Sequence, residues 1–232
     1  AADLLSNAKF PVILNGAGVV LSDAIPASAV LAEKLSAPVC CGYQHNDAFP
    51  GKHPLSVGPL RYNGSKAAME LIAKADVILA LGTRLNPIST LPGYGVDYWP
   101  EEAEVIQVDI NPDRIGLTKK VSVAIQGDAK MVVEQLTEAL EPTAGDNGRD
   151  GRLALIQQTK SAWLQNLSSM DHEDDDPGTT WNERARDREP DRMSARMAWR
   201  AIQASLPEAV SYTHLRAHET LRYRGCRLRL EK

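Results

Sequence analysis

Short apolar runs that end in glycine or a polar residue recur along residues 1–140 and predict buried strands. Four of these runs are Pro11–Leu14, Val39–Cys41, Val77–Leu81 and Val105–Asp109. A fifth, Val121–Ile125, alternates in polarity, which is typical of a strand at the outside of a sheet. The sequence therefore predicts five strands.

Apolar residues at helical spacing predict helices between these strands. Pro38 ends one of them, and an ion pair between Glu70 and Lys74 is expected to stabilise another. The predicted helices are a short one over 1–7, then Ile25–Leu35, one that Ser65 caps and that reaches about Lys74, and Met131–Leu140, which Asp128 caps.

Strands that alternate with helices predict an α/β domain with a doubly wound, mostly parallel sheet over residues 1–140. Ligands of such sheets bind at the carboxyl ends of the strands. Two long segments rich in glycine and proline, Gly42–Gly64 and Asn86–Pro100, follow predicted strands. Because long loops inside compact domains are usually functional, we expect them to form part of a ligand site.

The composition changes after residue 140. Residues 141–190 are predicted to be an interdomain linker with one helix, Leu153–Leu167, and residues 191–210 to begin another domain. Residues 211–232 hold six basic and two acidic residues and have no apolar period. A basic tail for nucleic acid is one interpretation, but this segment resembles translated adapter sequence and is expected to be non-native.

The overall charge favours small-molecule chemistry. The chain has 232 residues, 43% of them hydrophobic, and a formal net charge of -4. This balance predicts no nucleic-acid or membrane partner, since both attract clustered Lys and Arg. With no apolar stretch long enough to span a membrane and no signal peptide at the start, we expect a cytoplasmic protein.

Three features at strand ends are candidate binding groups. Gly16 and Gly18 allow a tight turn whose N–H groups could receive a phosphate, although a structural turn is equally consistent with the pattern. Asp109 could accept hydrogen bonds from a ribose or cap the following turn. Arg84 is suited to pair with a phosphate or carboxylate, with an ion pair to an acidic neighbour as the alternative.

The sequence predicts neither a metal site nor a catalytic group. His45 and His53 flank Asp47, but loop histidines of this kind usually bond to backbone or water. Three cysteines, including the neighbours Cys40 and Cys41, have no metal-ligand spacing and are expected at a buried strand end. No nucleophilic residue and general base occur in the order or spacing of a known catalytic motif.

Several longer motifs resemble a known family. The run Val105–Pro112 (VIQVDINP), followed by Gly127–Ala129, resembles the central domain of thiamine diphosphate-dependent enzymes of the acetolactate synthase and pyruvate oxidase group. Three more runs, Cys41–Gly51, Gly58–Lys66 and Gly82–Pro87, closely resemble sulfoacetaldehyde acetyltransferases. Arg61 stands where that pattern has a small residue.

The resemblance implies that sulfoacetaldehyde and phosphate are converted to acetyl phosphate and sulfite, as in taurine metabolism. Thiamine diphosphate carries the chemistry. In that family the activating glutamate and the motif for magnesium and diphosphate belong to the other two domains. The chain is therefore expected to be a part of the enzyme, inactive by itself, and the intact protein a homodimer or homotetramer.

The resemblance also implies positions for a ligand site. Relatives bind FAD or ADP at the strand tips, and the loop around Tyr62 approaches the active-site mouth. The matching cleft positions are Asn15, Gly16, Ala17, Gly18, Gly82, Thr83, Arg84, Asp109, Ile110, Gly127 and Asp128, and the candidates near the active site are His45, Tyr62, Asn63 and Gly64.

Two other functions remain open from the sequence. One is another enzyme of the family, such as an acetolactate synthase or an oxalyl-CoA decarboxylase, which retained flavin or tightly held ADP would favour. The other is a free-standing nucleotide-binding module, or one like the NAD-dependent deacetylases. A zinc ribbon would be expected in the latter, and the cysteines do not supply one.

Overall fold

The structure is a computed structural model that describes residues 1–62, 64–140, 148–169, 201–202 and 205. The chain divides into two compact units, Ala1–Ser161 and Ala162–Lys232. Asn63, the start of the linker and nearly all of the segment from 170 onward lie outside the described residues, including most of the predicted domain start at 191–210 and the whole 211–232 tail. The β-sheet belongs to the first unit.

Six parallel strands form one sheet in the order β3-β2-β1-β4-β5-β6. This confirms the predicted doubly wound α/β fold. The central strands β1 and β4 are buried along their whole length, since helices cover both faces of the sheet. The strands are β1 Pro11–Asn15, β2 Val39–Cys41, β3 Ser56–Pro59, β4 Val77–Leu81, β5 Glu104–Asp109 and β6 Val123–Gln126.

Six α-helices accompany the sheet among the described residues. They are α1 Ala2–Asn7, α2 Ala17–Leu21, α3 Ile25–Leu35, α4 Lys66–Ile72, α5 Ala129–Ala139 and α6 Arg149–Ser169. Both predicted caps are present: the Ser65 side chain accepts from the Ala68 N–H, and Asp128 accepts from the Lys130 and Met131 N–H groups of α5. Two short 3-10 helices, Pro87–Thr90 and Pro112–Arg114, shape the loops after β4 and β5.

Two local predictions were wrong, and one element was not predicted. The Gly42–Gly64 segment is not wholly irregular, because it contains β3, which is short and half glycine and proline and so carries no strand pattern. The unpredicted element is α2, which follows β1 directly. The Glu70 carboxylate lies 3.6 Å from the Lys66 ammonium rather than pairing with Lys74, because α4 ends at Ile72.

The first part of α6 packs on the α/β core. Ile156 is fully buried, and Arg152 donates to the carbonyl oxygens of Lys9, Leu35 and Ser36. Two of these carbonyls lie at the end of α3, where backbone acceptors lack partners within the helix. The helix predicted at Leu153–Leu167 is therefore longer and joined to the core, whereas the domain boundary at 140 stays a prediction.

Within the described ranges, no helix is long and apolar enough to cross a bilayer.

Candidate functional site

The ends of β1 and β4 are in direct backbone contact. In register, Asn15 pairs with Leu81, so the turns that follow them are adjacent. A Cβ atom on Gly18 would lie 2.6 Å from the Gly82 Cα, and one on Gly82 would lie 2.5 Å from the Gly18 Cα. Gly82 also has φ +56°. Both positions require glycine because no side chain fits between the two backbones.

The same contact occupies the N–H groups of the glycine turn. The Gly16 N–H donates to the Leu81 carbonyl and the Gly18 N–H to the Gly82 carbonyl, both at 2.9 Å. These two groups are therefore not free to receive a phosphate, contrary to one of the two interpretations of the turn. The geometry favours the other, a structural turn that joins the strands at the point where their order reverses.

A cleft of about 760 Å³ lies above this contact, at the carboxyl ends of the strands. All the predicted cleft positions except Asn15 line it: Gly16, Ala17, Gly18, Gly82, Thr83, Arg84, Asp109, Ile110, Gly127 and Asp128. Its size falls within the range of small-molecule and cofactor sites. Parallel pairing brings these separated positions together, as the sequence predicted.

Asn15 lies beneath the cleft and is fully buried. Its Nδ2 donates to the Ser28 hydroxyl at 2.9 Å and to the Ala48 carbonyl at 3.0 Å. Its side chain thus ties the end of β1 to α3 and to the loop after β2. Asn15 is a positioning residue for the cleft rather than part of its wall.

The two carboxylates of the cleft are held by local turns. Asp109 is 6% exposed, and its Oδ1 accepts from the Asn111 N–H at 2.9 Å. Asp128 accepts from the Lys130 and Met131 N–H groups at the start of α5. Asp109 therefore does cap the following turn, and it faces the cleft at the same time.

A buried glutamine, which the sequence pattern alone did not single out, holds two cleft loops. Gln107 on β5 is 1% exposed; its Nε2 donates to the carbonyls of Thr83 and Arg114, and its Oε1 accepts from the Gly116 N–H. The loops that it joins present Arg84 and Arg114 to the cleft. A polar residue inside the apolar run of β5 is the sequence signal for this role.

Arg61 reaches the opposite end of the cleft, beside Tyr43. Its guanidinium carbon lies 3.6 Å from the centre of the Tyr43 ring and 4.8 Å from that of Tyr62. Its backbone φ is +98°, a conformation that side chains rarely adopt. The positive φ agrees with the small residue that the family pattern has at this position. The two tyrosine rings that stack on the guanidinium could not be predicted from the sequence.

The candidates near the active site are only partly brought together. His45 lines the cleft, whereas Tyr62 and Gly64 lie outside its lining, and Asn63 is outside the described residues. Tyr62 is half exposed and packs against Gly93, and the Tyr94 hydroxyl donates to the Gly64 carbonyl. Tyr62 and Gly64 therefore contact the loop after β4, and of the described residues in 61–64 Arg61 alone lines the cleft.

His53 and Cys40 lie in structural contacts outside the cleft lining. His53 lies 3.1 Å from the Glu33 carboxylate and packs edge-on against Phe49, away from His45. Among the described residues, no cluster of His, Cys, Asp and Glu could hold a metal ion. Cys40 is a buried free thiol on β2, and burial raises its pKa well above the usual range, with the neighbouring Cys41 adding to the shift.

Comparison with known families agrees with this fold. The sequence model of the thiamine pyrophosphate enzyme central domain matches residues 1–136. The chain belongs to this family. The matched residues contain all six strands and every residue that lines the cleft.

Curated relatives in this family share most of the chain. A protein named "Probable sulfoacetaldehyde acetyltransferase" in Rhizobium meliloti (strain 1021) is 74% identical over 93% of the chain. The sulfoacetaldehyde acetyltransferase of Roseovarius nubinhibens is 73% identical over 90% of it. An acetolactate synthase large subunit, named as probable, from Methanocaldococcus jannaschii is 34% identical over 73%. The chain spans about a third of the length of the first two relatives, 36% and 34%.

A solved structure of the same family also matches. The X-ray structure of a putative thiamin diphosphate-dependent enzyme from Mycobacterium smegmatis is similar with a TM-score of 0.50 and 25% identity. The match covers 62% of this chain and 27% of that one. It supports the α/β architecture of the thiamine pyrophosphate enzyme central domain.

Proposed function

We propose that this chain is the central part of a sulfoacetaldehyde acetyltransferase. In the intact enzyme, sulfoacetaldehyde and phosphate give acetyl phosphate and sulfite: the carbon–sulfur bond breaks, and the two-carbon acetyl unit forms a bond to a phosphate oxygen. The observation that carries the proposal is the 74% identity to the Rhizobium meliloti relative over 93% of the chain. The 34% identity to the acetolactate synthase is far lower and favours the first assignment.

Thiamine diphosphate, when bound to the intact enzyme, supplies the carbon nucleophile that adds to the aldehyde. Magnesium would bind its diphosphate, but the described residues offer no cluster of metal ligands. We therefore assign neither group to the Ala1–Ser161 unit. The unit's own contribution is to hold the cleft loops in place through Asn15 and Gln107.

For the cleft we propose an adenine nucleotide, ADP or the ADP half of FAD, that binds reversibly; a flavin or ADP retained through purification would instead favour another enzyme of the family. Three features support it: the reversal of strand order at β1 and β4, the volume of about 760 Å³, and Asp109 at the tip of β5. Exposed aliphatic side chains at the rim, Leu21, Ile88 and Ile110, would pack against a flat ring.

Further properties of the intact enzyme belong to the same proposal. We expect a cytoplasmic homodimer or homotetramer that acts on small molecules in taurine metabolism. Nucleic acid and membranes are not among its expected partners, given the net charge of -4.

The test is an assay of the intact enzyme that carries this segment. Sulfoacetaldehyde is supplied with thiamine diphosphate, Mg²⁺ and phosphate, and both sulfite and acetyl phosphate are measured. Sulfite release that requires phosphate and yields an equal amount of acetyl phosphate would support the proposal. The 232-residue chain, assayed in parallel, is expected to show no turnover.

Pyruvate provides the matched control substrate. Pyruvate turnover to acetolactate without sulfite release would overturn the proposal and assign the enzyme to the acetolactate synthases.

A further inference from the structure

Three guanidinium groups and two carboxylates face the cleft. Arg84 and Arg114 stand on the loops that Gln107 joins, and Arg61 stands at the Tyr43 end. No ion pair of these arginines is formed within the described part of the chain. Asp109 and Asp128 instead accept backbone N–H groups of their own turns. The cleft therefore has cationic groups without anionic partners in the described part of the protein.

Arg61 differs from the other two because its side chain is fixed. The Tyr43 and Tyr62 rings hold the guanidinium at 3.6 and 4.8 Å, and a turn closed by the Gly64 N–H to the Arg61 carbonyl fixes the backbone. Its Nε is buried and has no hydrogen-bond acceptor among the described residues. A buried donor without a partner is costly, so an acceptor is expected when the site is filled.

Two N–H groups of the glycine turn are not available to an anion. The Gly16 and Gly18 N–H groups are already bonded to the carbonyls of Leu81 and Gly82, and the helix that follows the turn has five residues. The Asp128 carboxylate occupies N–H groups in the first turn of α5, on the other side of the cleft. Arg61 is thus a cationic donor of the cleft that its ring contacts hold in place.

From these contacts we propose that Arg61 is a specificity residue that binds a phosphoryl oxyanion at the Tyr43 end of the cleft. A stacked guanidinium presents planar N–H donors that match the oxygens of phosphate in pairs. This inference rests on the proposed nucleotide only for the source of the phosphoryl group. A nucleoside diphosphate and free pyrophosphate offer the same oxygens, and the experiment separates them.

Calorimetric titration of the 232-residue chain tests the inference with ADP, pyrophosphate and adenosine as probes. We expect Arg61→Gln to weaken binding of the phosphorylated probes at least about tenfold and to leave adenosine unchanged. Arg61→Lys should recover part of the affinity, because it keeps the charge but not the planar donors. Lys74→Gln removes the same charge from an exposed position outside the cleft lining and should bind like the unaltered chain.

The outcomes separate this inference from the proposed function. Pyrophosphate binding that depends on Arg61 without ADP binding would support the Arg61 site and contradict the nucleotide. Equal affinity of the unaltered and Arg61→Gln chains for ADP would overturn the Arg61 site alone. Absence of binding by both phosphorylated probes would also overturn it. None of these results affects the sulfite assay of the intact enzyme.

Discussion

At the scale of single residues, Arg61 combines an unfavourable backbone with a favourable side-chain contact. Its φ of +98° costs about 1–3 kcal/mol for a residue with a Cβ atom, while a cation–π contact contributes about 0.5–1 kcal/mol. The buried Nε without an acceptor among the described residues adds a further cost. The unfavourable contributions are the larger ones.

Arg61→Gly is therefore expected to raise the free energy of unfolding by about 1 kcal/mol. Glycine removes both the strained conformation and the buried donor. Urea unfolding followed by circular dichroism measures the change. Arg61→Ala is the matched control: like glycine it removes the buried donor and the stacking on Tyr43, but it keeps the strained backbone, so it should be less stable than Arg61→Gly. A glycine variant less stable than the unaltered chain would show that stacking is the larger effect.

Two residues of the cleft show the limit of sequence reasoning at this scale. Asp109 was found because it ends a predicted strand, and topology alone places it at the cleft. Arg61 was noted only as a departure from the family pattern. The position of its guanidinium depends on the Tyr43 ring, 18 residues earlier in the chain, and this contact forms only in the folded loop.

At the scale of elements, the contact between the turns after β1 and β4 fixes the floor of the cleft. Gly18→Ala places a methyl group 2.6 Å from the Gly82 Cα, so one of the two turns must move. We expect a loss of about 3 kcal/mol in the free energy of unfolding, the upper part of the range for overpacking.

Gly151→Ala is the matched control for this substitution. Gly151 lies in α6 with no atom within 4 Å of the added Cβ, so alanine should stabilise the helix by about 0.5 kcal/mol. Both variants are compared by urea unfolding. If Gly18→Ala changed the free energy of unfolding no more than Gly151→Ala does, the β1 and β4 turns would be able to move apart without loss of stability.

The sequence predicted the elements with a clear apolar pattern and missed two short ones, β3 and α2. β4 is a continuous apolar run and β5 is an apolar run interrupted by Gln107, and the burial of their apolar residues follows directly from that pattern. β3 has four residues that include Gly58 and Pro59, and it is a strand because it pairs with β2. Such a segment takes its conformation from the sheet rather than from its own residues.

At the scale of the whole molecule, the first unit continues past the sheet and α5 into the first part of α6. The unit extends to Ser161, and Arg152 is the main polar contact of α6 with the core. A charged donor that is buried against three carbonyls stabilises both the helix end and the packing of α6.

Arg152→Ala is expected to lower the free energy of unfolding by about 3 kcal/mol, because three buried carbonyls lose a charged donor. Arg152→Lys should lose less, since one ammonium can satisfy part of the set. Thermal melts of residues 1–140 and 1–161, expressed separately, give a second measurement. We expect both to melt cooperatively and the longer segment to melt at the higher temperature. Equal midpoints would show that α6 adds nothing to the domain.

The contact between Gly18 and Gly82 also limits how this protein can change. Since neither position accepts a side chain, the two backbones determine one another, and the cleft floor cannot deepen by substitution at either one. A change in which ligand the cleft binds must then come from substitutions in its walls, the loops that carry Arg61, Arg84 and Ile110. A search for variants with altered ligand preference should randomise those loops and leave the floor untouched.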